Sequence, residues 1–120
     1  MIDLTFKSFK MENQVQLIGR LGMDPNSKQV NQSVKTTFTL ATNTVYRDSE
    51  CNKKTMTDWH NIIAWGNLAQ TMDQYLKKGD KVGVSGRLVT RSYEDNNGVK
   101  KYFTEVIAKD MLMLGVTKND

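Results

Sequence analysis

The chain has 120 residues, 38% of them hydrophobic and 25% charged, with a formal net charge of +4. That length suits one domain, able to bury roughly two thirds of its unfolded surface, and the composition argues against disorder along the whole chain. A single cysteine excludes an intrachain disulfide and argues against a cysteine metal site, and a single histidine puts most metal and triad chemistries out of reach.

Residues 1–10, from Met1 to Lys10, contain no continuous apolar run and no small-residue cleavage site, so no signal peptide is expected. Met11 opens a second plausible start, and residues 1–10 read as an extension outside the domain, frayed or not native. No stretch is long and apolar enough to span a membrane, so no membrane partner is expected. A lone cysteine without an export signal suits a reducing cytoplasm.

Val15 to Leu21 is apolar and partly alternating, and reads as a first strand that ends in the turn residues Asp24-Pro25-Asn26-Ser27. Lys35 to Tyr46 is rich in Thr, Val and Phe, which predicts a long second strand. Arg47 to Met56 is polar and aperiodic and reads as a loop. Thr57 to Trp65 is a third strand. Between Asn67 and Lys78, Leu68, Met72, Tyr75 and Leu76 fall on one face of a 3.6-residue period and predict a helix. Asn67 is its expected N-cap, two lysines sit in its last turn, and Gly79 is its expected C′ residue. Lys81 to Tyr93 is a fourth strand, residues 94–98 a hairpin turn, and Val99 to Leu114 a fifth strand, bent or interrupted near Asp110. Five strands with one helix between the third and fourth is the order of an all-β, five-stranded Greek-key barrel, the OB-fold. It would occupy residues 11–115, leaving 116–120 as a short polar tail.

The third strand is the most informative. Period-2 alternation puts Trp59, Asn61, Ile63 and Trp65 on one face and His60, Ile62 and Ala64 on the other. If the second set faces a core, two indoles stand about 20 Å apart on one surface, at roughly 3.3 Å per residue. Such a pair can stack unpaired bases of any sequence, at roughly 1–3 kcal/mol per base; it can equally pack in a core or under a loop. The fourth strand places Val82, Val84 and Leu88 on one face, and Lys81, Arg87, Arg91 and Tyr93 on the other. An aromatic among cations suits a ligand that is charged at every step and flat at every base. Tyr46 ends the second strand beside Arg47. Lys53 and Lys54 follow in the expected loop, either solvated or in reach of phosphates. His60 has no nucleophile or orienting partner nearby in sequence, and packing or an interface is its expected role. Cys51 is read as incidental. No Gly-rich phosphate loop and no metal-ligand cluster occurs, so no catalytic residue, metal or cofactor is expected.

Taken in order, several stretches resemble the DNA-binding domain of the bacterial single-stranded DNA-binding protein family. They are residues 15–25, Phe38-Thr39-Leu40-Ala41-Thr42, Thr57-Asp58-Trp59-His60 and Trp65-Gly66-Asn67-Leu68-Ala69, followed by Tyr75-Leu76-Lys77-Lys78-Gly79, residues 86–91 and residues 111–115. The resemblance covers Met11 to Gly115. It implies an OB-fold, assembled as a homotetramer, that binds single-stranded DNA without chemistry in replication, recombination and repair, in the cytoplasm at the nucleoid. It places the base-stacking aromatics at Tyr46, Trp59, Trp65 and Tyr93. Tyr46 and Tyr93 stand where the best-known members carry Trp, and Trp65 where they carry Phe. It associates His60 with a subunit interface. The cations expected to meet phosphates are Arg20, Arg47, Lys53, Lys54, Arg87 and Arg91. Four chains of +4 would sum to about +16, an attractive field for a polyanion.

Family members usually continue into a Gly/Pro/Gln-rich linker and an acidic tip that recruits replication and repair enzymes. The sequence stops at Asp120 without one, which reads either as a truncated domain or as a short form without that recruiting role. Fold alone does not decide function, and two rival readings keep the barrel: a dimeric, primosome-like adaptor and an RNA-binding OB protein.

Overall fold

The structure is a computed structural model, and residues 12–115 are described. The expected N-terminal extension over 1–10 and the polar tail over 116–120 lie outside those residues. The elements run β1 (Val15–Leu21), β2 (Asn26–Val30), β3 (Ser33–Arg47), β4 (Lys53–Trp65), α1 (Gly66–Tyr75), β5 (Lys81–Glu94) and β6 (Lys100–Gly115). The sheet order is β1-β5-β6-β4-β3-β2, and β1 also pairs with β3 through Arg20↔Ala41 and Leu21↔Leu40. That second pairing closes β1, β5, β6, β4 and β3 into the expected five-stranded barrel. All its seams are antiparallel except β4–β6, which is parallel at Ile62↔Val106 and Ile63↔Ile107.

Alternation fills the barrel. Phe38 and Leu40 of β3, Ile62 and Ala64 of β4, Val82 and Val84 of β5, and Val106 and Ala108 of β6 converge on one core. Ala69, Met72 and Leu76 of α1 join the same cluster, so the helix plugs one end. At roughly 25 cal/mol per Å² of apolar surface, each large side chain buried here contributes about 1.5–3 kcal/mol. The expected bend near Asp110 is a β-bulge. Ser85 pairs with Asp110 and Gly86 with Ala108, which leaves Lys109 without a partner in β5. The extra residue switches the inward parity of β6 from Val106 and Ala108 to Met111, and turns Leu112 and Leu114 outward.

Four expectations are corrected. A sixth strand, β2, lies where only a turn was expected. Its sequence, NSKQV, has no apolar alternation, and it forms by pairing with β3 across the two-residue turn Asn31-Gln32, with Asn31 at φ 56°. The Thr36 hydroxyl donates to the Ala69 carbonyl at 2.8 Å, so the Ser27 hydroxyl, 2.6 Å away, donates to Thr36 and ties β2 to the helix.

The helix is shorter than expected and shifted toward the N-terminus. Its N-cap is Trp65, in an extended conformation with no side-chain cap, and Asn67 lies inside the first turn. Gly66, at φ 69°, turns the chain directly from strand into helix. At the other end, the Lys77 N–H donates to Asp80 Oδ2 at 3.0 Å and the Lys78 N–H to Asp24 Oδ1 at 2.8 Å. Two carboxylates thus take amides that would otherwise extend the helix. Lys77, Lys78 and Gly79 fall beyond it, and Tyr75 points to solvent.

The region Arg47 to Met56, expected as a loop, is mostly strand. β3 and β4 stay paired from Lys35↔Trp65 to Arg47↔Lys53, and only residues 48–52 turn. Leu88, expected on the core face, is 46% exposed, because β5 has left the barrel by that point. Its backbone there is bonded on both sides to the Asn13 carboxamide, at 2.9 Å each way.

Candidate nucleic-acid interface

Two ribbons project from the barrel. One is the outer half of the β3–β4 hairpin and the other the outer half of β5–β6. Both faces of each are exposed, which is why the first shows no alternation in sequence. Their turns share one design. Asp48 and Asp95 each accept amide protons on Oδ1 from residues two and four positions on, all at 2.9 Å. The fourth residue of each turn is left-handed: Gly98 at φ 78° and Cys51 at φ 63°.

Residues paired across strands share a face, so the registers show which candidates come together. The row Arg20↔Ala41↔Trp59 crosses β1, β3 and β4, and the row Arg87↔Ile107↔Ile63 crosses β5, β6 and β4. Farther along β5–β6 lie the pairs Arg91↔Phe103 and Tyr93↔Lys101, on the parity of Arg87 and Ile107. Arg20, Trp59, Trp65, Arg87, Arg91 and Tyr93 therefore share the outer face, opposite the core. Lys53 and Arg47 have the same parity at the arm's tip. Tyr46 does not: it pairs with Lys54 on the opposite parity, together with His60. A strand touching both Trp59 and Tyr46 must wrap over the edge of the arm.

Trp59 is 60% exposed and Trp65 42%. Trp59 has a floor of small groups, with Ala41 across from it and Gly22 beneath its ring. Trp65 carries the Lys35 ammonium 5.7 Å from its ring centroid. Between the two indoles Ile63 is buried and Asn61 half-buried, so the face is a shelf with two open rings. His60 is half-buried with Nε2 2.9 Å from the Thr42 hydroxyl, which agrees with its inward parity.

The second arm holds aromatics that the sequence reading passed over. Tyr102 and Phe103 are both exposed, and the Lys100 ammonium lies 5.8 Å from the Tyr102 centroid. The pattern that singles out Tyr93, an aromatic among cations, also occurs in Lys100-Lys101-Tyr102-Phe103 and would have found them. Arg91, Ser92, Tyr93 and Phe103 line an open groove of about 380 Å³.

The cations are not equivalent. Arg91 Nη2 is 2.7 Å from the Oε1 atom of Glu105, a carboxylate only 5% exposed, so its charge is balanced locally. Arg20 donates to the Gly79 carbonyl at 2.9 Å and Arg47 to the Cys51 carbonyl at 3.1 Å, contacts that orient each guanidinium without neutralising it. Lys54 stands 4.0 Å from Asp48, an exposed and weak pair. Lys53 and Arg87 are exposed. Among the described residues no His, Cys, Asp and Glu side chains gather into a group able to hold a metal ion, and no helix is long and apolar enough to cross a membrane.

The model of the Single-strand binding protein family matches residues 12–114. The chain is 52% identical over 106 residues to "Single-stranded DNA-binding protein 1" of Chlorobaculum tepidum, a match covering 86% of this chain and 65% of that protein. It is 40% identical over 105 residues to the protein of the same name from Xylella fastidiosa, covering 86% and 77%. Among solved structures, one titled "Plasmodium falciparum SSB complex with ssDNA" superposes with a TM-score of 0.81 at 39% identity, over 88% of this chain and 97% of that one. The chain thus spans slightly less than two thirds of the length of its Chlorobaculum relative.

Proposed function

The chain belongs to the single-strand binding protein family, and from that premise we propose that it binds single-stranded DNA without regard to sequence, by stacking and charge and with no catalysis. One observation carries the reading. Two indoles six residues apart on β4 lie open on the same outer face as Arg20 and Arg87. Bases would stack on Trp59, Trp65 and Tyr93, and on Tyr46 where the strand wraps the first arm. Arg20, Arg47, Lys53, Lys54 and Arg87 would meet phosphates. The names of the relatives support the same ligand. The proposed role is to coat unwound DNA in replication, recombination and repair, in the cytoplasm at the nucleoid.

We infer a homotetramer. Ile18, Leu112 and Leu114 form an exposed apolar strip over Gly83 on the outer face of β1, β5 and β6, and apolar surface gathered in this way is usually covered in an assembly. His60 is proposed to contribute to a subunit contact.

Titration of tryptophan emission with poly-dT at two salt concentrations tests the function, and mass in solution tests the assembly. The expected results are quenching, preference over a matched duplex, and a salt slope near −0.7 per phosphate neutralised. Equal affinity for duplex and poly-dT would sink the reading. Competition between dT and rU oligomers separates DNA from RNA.

A further inference from the structure

The second arm contains a charge-balanced pocket of flat groups that the four expected stacking positions do not include. Arg91 and Phe103 are directly paired across β5 and β6, and Tyr93 is the diagonal neighbour of Phe103 on the same face. Diagonal positions are about 7–8 Å apart, within reach of aromatic side chains, so both rings can meet one flat ligand. The groove between these groups is about 380 Å³ and open to solvent. At its inner end the nearly buried Glu105 carboxylate holds the Arg91 guanidinium at 2.7 Å. A phosphate brought here would meet a cation already matched by an anion. An uncharged flat group would meet a phenol, a phenyl and a guanidinium plane, with guanidinium N–H donors left over for a base edge.

We propose that Phe103 is a further stacking residue, holding one unpaired nucleobase between itself and Tyr93 against Arg91, with Glu105 as the positioning residue that turns Arg91 from a phosphate contact into part of the base pocket. This rests on the single-stranded DNA reading and adds a base contact that the reading does not require. Phe103 stands four residues before Ile107, and Trp59 four before Ile63, on the two strands joined at that pair. The two aromatics are thus equally far along their strands from that pair and share its parity.

The full chain is titrated with fluorescently labelled dT oligomers, read by anisotropy. Phe103→Leu keeps the apolar bulk and removes the π-face; it is expected to weaken binding about tenfold with the salt slope unchanged. Phe103→Tyr is expected to restore binding, and equal affinity for the Leu and wild-type chains would overturn the proposal. Should Phe103→Leu not fold, a second measurement decides: Phe103→Trp in a chain carrying Trp59→Phe and Trp65→Phe. Quenching of its single indole by poly-dT supports the site. Unchanged emission while anisotropy reports binding removes Phe103 from the interface and leaves DNA binding standing. Absence of dT binding by the wild-type chain overturns both.

Discussion

The Trp59 indole rests on Gly22. A methyl group built on that glycine would collide with Cζ3 of the ring and stand 2.8 Å from Thr39 Oγ1. The glycine is held in place by its own amide, which donates to the Thr39 carbonyl at 2.9 Å. Gly22→Ala should therefore move the ring rather than the backbone. Because the ring is mostly exposed, the loss of stability should stay below about 1 kcal/mol, as for surface changes. Binding to dT should fall by a large part of the roughly 1–3 kcal/mol lost in Trp59→Ala. The two changes act through one ring, so the double variant should be scarcely worse than Trp59→Ala alone. Additive losses in the titration would show that the glycine acts elsewhere.

Charge balance separates the two arginines of β5. Arg87→Gln should flatten the salt dependence by about 0.7, the contribution of one phosphate on a single strand. Arg91→Gln should lower affinity and leave the slope in place, because Glu105 already balances its charge. Plots of log affinity against log salt for the two variants measure this directly, and equal slope changes would place Arg91 on a phosphate.

Removing the Arg91 side chain also strands Glu105 in a nearly solvent-free position. Arg91→Ala should destabilise the fold by roughly 1–3 kcal/mol, the cost of a buried polar group left unpaired, with Arg91's own exposure keeping it below the loss for a fully buried pair. Adding Glu105→Leu should recover most of that loss. Thermal melts of the single and double variants provide the check; a double variant no more stable than the single one would point to another source of strain.

Cys51 occupies the turn position that Gly98 fills in the other hairpin, at φ 63° against 78°. A left-handed residue with a Cβ costs roughly 1–2 kcal/mol, and the greater chain freedom of glycine returns part of that. Cys51→Gly should raise stability by about 0.5–1 kcal/mol, with dT affinity unchanged. A lower urea midpoint for the variant would show that the thiol has a packing role.

The barrel was legible in the sequence because its strands alternate: Phe38 with Leu40, Val82 with Val84, and Ile62 with Ala64 each mark an inward face. The outer face was legible for the same reason, through Trp59 and Trp65. What could not be read arises from partners distant in sequence. β2 has no apolar signal and exists by pairing with β3. The helix ends where Asp24 and Asp80 capture its next amides, and Asp24 is 54 residues from the amide it holds. The first arm reads as a loop because a ribbon wet on both sides has no reason to alternate. Position alone groups Tyr46 with the other aromatics, and only the register shows it on the reverse side of that ribbon. The commitment of Arg91 to Glu105 is likewise a cross-strand fact that composition cannot reveal.

Trp65 is at once the last residue of β4 and the N-cap of α1. Its indole therefore stands at the joint between sheet and plug, one residue before the Gly66 turn. In a chain carrying Trp59→Phe, the light that Trp65 emits should report whether that joint, and with it the barrel, is shut.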